Sequence, residues 1–280
     1  MIKTGLLLAL LAGATLQTSA QQPLKLYVFD GGTLKSGNPA PLLERGVTTT
    51  DMSVAIYLVV HPRGTLLWDA GVIPDERIQP GGTTDFRATV KKTLKGQLEE
   101  IGYKPSDVTY FALSHNHYDH SANANAFAGS TWLVQKAERD AMFSGAQRPT
   151  SANSPSIETV NARFASLKNS KTTLLNGDHD VFGDGTVIIV STPGHTPGHQ
   201  SLFVKLAKAG PVLLSGDLYH YPAERTLKDF TPFAALGNPE QEAASKAKVE
   251  SWLKEKGAML WIQHDIIADA KLRKSPAYYE

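Results

Sequence analysis

The chain has 280 residues, 28 of them basic and 27 acidic, for a net charge of +1. That balance excludes a general nucleic-acid binder and a polybasic membrane-surface protein, both of which need a basic excess. There is no cysteine, so disulfides, thiolate metal ligands, a cysteine nucleophile and a lipoprotein anchor are excluded together.

The first twenty residues read as an export signal. Lys3 supplies a short positive start, residues 6–16 are almost wholly apolar, and Thr18-Ser19-Ala20 ends in small residues suited to cleavage before Gln21. The apolar stretch is too short to span a bilayer comfortably. The expectation is a signal peptide over 1–20, one domain over 21–280, a periplasmic or secreted product and no stable membrane insertion after cleavage.

Residues 24–29 alternate and read as a strand ended by Gly31-Gly32. Residues 54–60 form a nearly continuous apolar run, the pattern of a strand buried on both faces. His61-Pro62-Arg63-Gly64 turns into a partner strand over 65–68 that closes at Asp69. Residues 86–101 carry Val90, Leu94, Leu98 and Ile101 at helical spacing, with Gly102 as the stop. Strands follow at 108–113 and 131–134, with a helix at 136–143. Residues 144–156, rich in Ser, Pro, Asn and Gly, read as a surface loop of the kind that serves as a lid. Further strands fall at 173–175, 187–191, 201–206, 212–214 and 259–262, with an amphipathic helix at 240–256. Strand groups interspersed with helices, in two successive halves, predict an α/β fold of two packed sheets with helices outside.

The chemistry concentrates in Ser114-His115-Asn116-His117-Tyr118-Asp119-His120. Alternate side chains leaving a strand end point the same way, so His115 and His117 can meet one cation. Asp119 and His120, past the turn, can reach a second. His195, Asp217 and His264 each follow a predicted strand, so strand ends converging on one sheet edge would gather five histidines and two aspartates. Imidazole and carboxylate suit zinc, and also iron, manganese or cobalt. His199 reads as a residue that fixes a ligand's tautomer, Asp69 as a candidate to orient a ligand, and Asp265 as a helix N-cap. His61 and His179 read as surface residues, Phe29, Trp68 and Trp132 as core, and Tyr118 as a candidate to line the cleft.

The ordered set His-x-His-x-Asp-His, then Pro-Gly-His, Gly-Asp and a late His, resembles the metallo-β-lactamase superfamily. The resemblance covers nearly all of 21–280 and implies a hydrolase domain with a four-layer αβ/βα sandwich. It implies one metal on His115, His117 and His195, a second on Asp119, His120 and His264, and Asp217 as the bridge. Within the superfamily the chain looks most like the N-acyl-homoserine lactone lactonases, in Leu26-Tyr27-Val28-Phe29-Asp30, in residues 61–71, in residues 193–202 and in Ser275-Pro276-Ala277-Tyr278-Tyr279. That likeness implies a small lactone or ester substrate opened by a hydroxide between two divalent metals, Asp119 as proton carrier, quorum quenching as the role, and a homodimer. One position departs: those lactonases usually carry a tyrosine three residues after the bridging aspartate, and here it is His220 between Tyr219 and Tyr221. Any of the three could contact substrate. A phosphotriesterase of the methyl parathion hydrolase type, a zinc β-lactamase and, from another class, a di-iron oxidoreductase are the competing readings.

Overall fold

The computed structural model describes residues 23–144, 162–233 and 237–280. The expected signal peptide and nearly all of the 144–156 loop lie outside them. One sheet is built from β1 (Lys25–Leu34), β2 (Met52–His61), β3 (Gly64–Trp68), β4 (Thr83–Asp85), β5 (Ala88–Val90), β6 (Tyr110–Ala112), β7 (Thr131–Gln135) and β8 (Thr172–Leu175). They lie in the order β4-β5-β1-β2-β3-β6-β7-β8. The other holds β9 (His179–Asp180), β10 (Val187–Ser191), β11 (Gln200–Leu206), β12 (Gly210–Leu214) and β13 (Met259–Trp261), ordered β13-β12-β11-β10-β9. A last strand, β14 (Tyr278–Tyr279), returns to pair with β1. Helices among the described residues include α1 (Ala40–Glu44), α2 (Leu94–Glu100), α3 (Tyr118–Ser121), α4 (Lys136–Phe143), α5 (Pro239–Lys256) and α6 (Ile266–Asp269). None of the described helices is long and apolar enough to cross a membrane.

The unbroken apolar run of β2 is explained by what lies on each side of it. Ala55, Tyr57 and Val59 face the second sheet and pack in one cluster with Val187, Ile189, Leu202, Val204 and Leu214. Ile56 and Leu58 point the other way, into a cluster that holds Leu94 and Leu98 of α2 and Met142 of α4. Across the second sheet, Leu213 packs on Val249 and Leu253 of α5. Helices therefore cover the outer face of each sheet, and the layers run αβ/βα, as expected. Phe29, Trp68 and Trp132 are fully buried in this core.

Three expectations need correction. β1 does not end at Gly31-Gly32 but bulges there, with a register shift between Asp30 and Thr33, and continues to Leu34. Gly32 adopts φ +111, and a Cβ on it would lie 2.6 Å from the Thr89 carbonyl oxygen, so the bulge needs glycine. Residues 86–101 are helical only over Leu94–Glu100, because Thr89 and Ala88 pair with Thr33 and Leu34 at the sheet edge and Thr93 caps the helix, accepting from the Gly96 N–H. Tertiary pairing overrides the helical spacing of Val90. His61 is not a surface residue: it is buried, stacks 4.1 Å from Phe182 and bonds Asp184 at 2.9 Å.

The strand directions place the site. β3, β6 and β7 run parallel, as do β12 and β13, so their carboxyl ends open on one edge. The loop after β10 is held there by Gly194, which sits at φ +142, where a Cβ would lie 2.4 Å from the Glu242 backbone nitrogen on α5. Gly194→Ala combines a clash with a strained backbone, so it should cost about 2 kcal/mol or more. Thermal denaturation checks this, and an unchanged Tm would contradict it.

Candidate dinuclear metal centre

Each strand end delivers its part. The loop after β6 brings His115 and His117, and α3 brings Asp119 and His120. His195 follows β10, Asp217 follows β12 and His264 follows β13. The seven side chains form two groups, His115-His117-His195-Asp217 and Asp119-His120-Asp217-His264, with ligand atoms within 4.8 Å of one another in each. Asp217 belongs to both, and its two oxygens divide between them. Oδ2 lies 3.5 Å from His115 Nε2 and 3.3 Å from His195 Nε2, while Oδ1 lies 3.0 Å from both His120 Nε2 and His264 Nε2. Asp119 Oδ2 stands 3.7 Å from His120 Nε2 and 3.6 Å from His264 Nε2.

His195 Nε2 lies 3.0 Å from His117 Nδ1, but three of these buried atoms have no such partner. His115 Nε2, His120 Nε2 and Asp217 Oδ1 have no hydrogen-bond partner. Buried polar atoms without partners and aimed at a common point are costly, and a divalent cation at each point would satisfy them once the rings are neutral. Nitrogen and oxygen donors with no sulfur fit zinc, iron, manganese or cobalt.

The far sides of the rings are held by hydrogen bonds that select the tautomer. His264 Nδ1 donates to the Ser53 carbonyl at 2.8 Å, which leaves Nε2 free to ligate. His120 Nδ1 lies 3.0 Å from Asp69 Oδ2, and His115 Nδ1 lies 3.1 Å from Ser114 Oγ. Asp69, at the end of β3 with φ +63, has no solvent exposure. It also accepts from the Ser114 N–H at 2.6 Å and from Gln263 Nε2 at 2.9 Å. His199 does not ligate. Its Nδ1 donates to the Thr192 carbonyl, and its Nε2 accepts the Asp217 N–H, each at 3.0 Å, so it fixes the backbone of the shared aspartate. Asp265 caps α6, accepting from the Ile267 and Ala268 N–H groups.

Charge and burial set the protonation states of the metal-free site. Burial holds His115 well below the usual histidine range, His117 and His199 down to about 3, and His195 below its usual value. Burial pulls His120 the same way, but the carboxylates of Asp217, Asp119 and Asp69 outweigh it and hold the ring well above. Burial pushes Asp217 up, yet His120, His264, His115 and His220 around it keep its carboxyl well below the usual range.

Of the three candidates for a substrate contact, the structure brings only His220 to the centre. Its Nε2 lies 3.2 Å from Asp217 Oδ2, and its Nδ1 faces Glu224 Oε1 at 3.6 Å. Burial opposes its charge, but Asp217 and Glu224 raise it to about 9. Tyr219 and Tyr221 are turned away: their hydroxyls donate to Glu250 and to the Thr50 carbonyl, each at 3.0 Å. Successive residues on extended backbone cannot share a direction, which is the physical reason only one of the three reaches the metals. Tyr118 is half-buried and packs beside Val72 and Ile73. Glu138 was not foreseen. Buried on α4, it accepts from the Asn116 and Gly198 N–H groups, both at 2.9 Å, and so ties two ligand loops together. On sequence it is one polar position of an ordinary helix, and only tertiary contact reveals it.

Comparison with known proteins gives the family. Residues 49–259 fit the sequence profile of the Metallo-beta-lactamase superfamily. The N-acyl homoserine lactonase AttM of Rhizobium radiobacter is 30% identical over 278 residues, 91% of this chain and 98% of its own. The N-acyl homoserine lactonase AiiA of Bacillus thuringiensis subsp. kurstaki is 28% identical over 81% of this chain and 87% of its own. A solved N-acyl homoserine lactone hydrolase, with N-hexanoyl-L-homoserine at its catalytic metal centre, superposes with a TM-score of 0.68 at 26% identity, covering 91% of this chain and 98% of that one. The chain belongs to the metallo-β-lactamase superfamily. It is one of that superfamily's metal-dependent hydrolases.

Removing the carboxylate that aims His120 should weaken metal binding without touching a ligand. Asp69→Ala is expected to lower metal affinity about 10- to 100-fold, read by competition with a chromophoric chelator; unaltered affinity would contradict the orienting role. Because His120 is held protonated in the metal-free protein and must be neutral to ligate, loading at pH 7 should release protons and affinity should rise with pH. Metal addition in weak buffer with a pH indicator reads this directly, and no acidification would contradict it.

Proposed function

We propose that the chain opens the ring of N-acyl homoserine lactones or closely related esters at a pair of divalent cations, with zinc as the first candidate. The observation that carries this reading is the division of the Asp217 carboxylate, one oxygen toward each ligand group. Likeness to lactonases over 91% of the chain supports the substrate class. When bound, the cations supply Lewis acidity that activates water near neutral pH and polarises a carbonyl.

The residues of the chain do the rest. His115, His117 and His195 would hold one cation, Asp119, His120 and His264 the other, with Asp217 shared. In ring opening, the oxygen of water adds to the acyl carbon, the bond from that carbon to the ring oxygen breaks, and one proton must travel to the leaving alkoxide. Asp119 is buried between His120 and His264 and is the carboxylate placed to carry it. His220, with Nε2 beside Asp217 Oδ2, stands where relatives of this type carry a tyrosine, and it brings an N–H donor to substrate in place of the phenol. No serine or cysteine nucleophile is required, so no acyl-enzyme forms. The twenty-residue leader is read as an export signal, which would place this hydrolysis in the periplasm or outside the cell.

A substrate panel on the zinc- and cobalt-loaded protein tests the reading. An acyl-homoserine lactone should be hydrolysed with kcat/KM at least about 100-fold above a nitrocefin-type β-lactam and a paraoxon-type triester, a margin of about 2.7 kcal/mol in transition-state binding. A triester turned over fastest would replace the lactone reading with a phosphotriesterase.

A further inference from the structure

Beside the metal centre lies a groove of about 800 Å³, walled by Leu42, Phe86, Arg87, Phe230 and Phe233. Phe233 joins it to the site, with its ring 4.0 Å from that of His220. Two residues, Phe86 and Arg87, form the tip of the β4–β5 hairpin beside this groove. Phe86 adopts the φ of +54 that the two-residue turn requires, and the residue is 73% exposed on the groove. Arg87 buries its Nε with no partner, and no hydrogen bond or ion pair holds its guanidinium among the described residues. Arg45, on the same groove, differs: its Nη2 donates to the Lys228 carbonyl at 2.8 Å and its guanidinium rests over Phe230. Both guanidinium groups rest over a ring, but only that of Arg45 has a hydrogen bond from the fold.

The position of Arg87 is prepared by its neighbours. Its carbonyl accepts the Lys35 N–H at 2.9 Å, and its guanidinium carbon lies 4.8 Å from the centre of the Phe86 ring. A Cβ on Gly37 would fall 1.7 Å from Arg87 Nη1, so the glycine is what lets the guanidinium lie there. Phenyl walls with one unpaired planar donor match a ligand of apolar carbon interrupted by an acceptor oxygen. Asp229 on the same rim offsets one of the two guanidinium charges, and a carbonyl oxygen is an acceptor the Arg87 fork can take without a second ion.

We propose that Arg87 is a specificity-determining residue, donating to a carbonyl oxygen carried on the acyl arm of the substrate while Phe86, Phe230 and Phe233 hold the arm's carbon chain. This rests on the lactone reading for what occupies the metals, and the test separates the two. Two N-acyl homoserine lactones of equal acyl length, one with a keto group on carbon 3 of the acyl arm, are compared on the metal-loaded wild type, Arg87→Met and Gly37→Ala. The wild type should favour the keto substrate about 10- to 100-fold in kcat/KM, through KM, as expected for a hydrogen bond to a charged donor. Arg87→Met should bring that ratio close to one. Gly37→Ala keeps the charge but displaces it, and should do the same. A ratio near one in the wild type, or one that survives both substitutions, overturns the proposal. Calorimetric binding of the two ring-opened acids reads the groove without turnover. Tighter binding of the keto acid that Arg87→Met abolishes upholds the proposal even where neither lactone is hydrolysed, an outcome that sinks the lactone reading alone.

Discussion

At the edge where both sheets end, one carboxylate faces five imidazole nitrogens across 3.0 to 3.5 Å, with water excluded from nearly all of them. Without cations, that arrangement leaves buried nitrogen and oxygen atoms unpaired and forces a proton onto His120 against its burial. Such a cluster is not a stabilising device in itself, since buried charges rarely return their desolvation cost. It persists because the surroundings over-determine it. Asp69, Ser114, Gln263, Ser53 and His199 each fix a ligand or its backbone from behind, and Glu138 pins the loops that carry His117 and His195.

The scaffold supplies what this requirement demands. Parallel pairing of β12 with β13, the same direction in β10 on the far side of β11, and the parallel run of β6 beside β3 send four ligand-bearing loops to the same edge. The hydrophobic core between the sheets, from Leu26 to Leu214, then fixes the separation of the two halves of the site. Ligands from both sheets must meet within ångströms, so packing of this core is coupled to metal geometry.

Much of this was legible from the residues, for identifiable reasons. β2 and β10 were readable because unbroken apolar runs have few alternatives to a doubly covered strand. The ligands were readable because the chemistry admits few residue types and the strand ends order them. The 86–101 segment was not, since the register of Thr89 with Thr33 depends on β1, far away in sequence. His61 was misjudged for the same reason: its partners, Phe182 and Asp184, come from the other half of the chain. The residues behind the ligands were only partly readable. Asp69 and His199 sit beside conspicuous motifs, whereas Glu138 and Gln263 carry no local mark. Which of Tyr219, His220 and Tyr221 enters the site depended on backbone direction that composition does not encode.

The central claim is that Asp217 joins two metal positions into one centre. The direct measurement is anomalous diffraction from crystals of the metal-loaded protein, with data at the metal edge. The account predicts two peaks, each within coordination distance of a different Asp217 oxygen, one beside His115, His117 and His195 and the other beside Asp119, His120 and His264. A single peak, or two peaks of which only one touches Asp217, would contradict it.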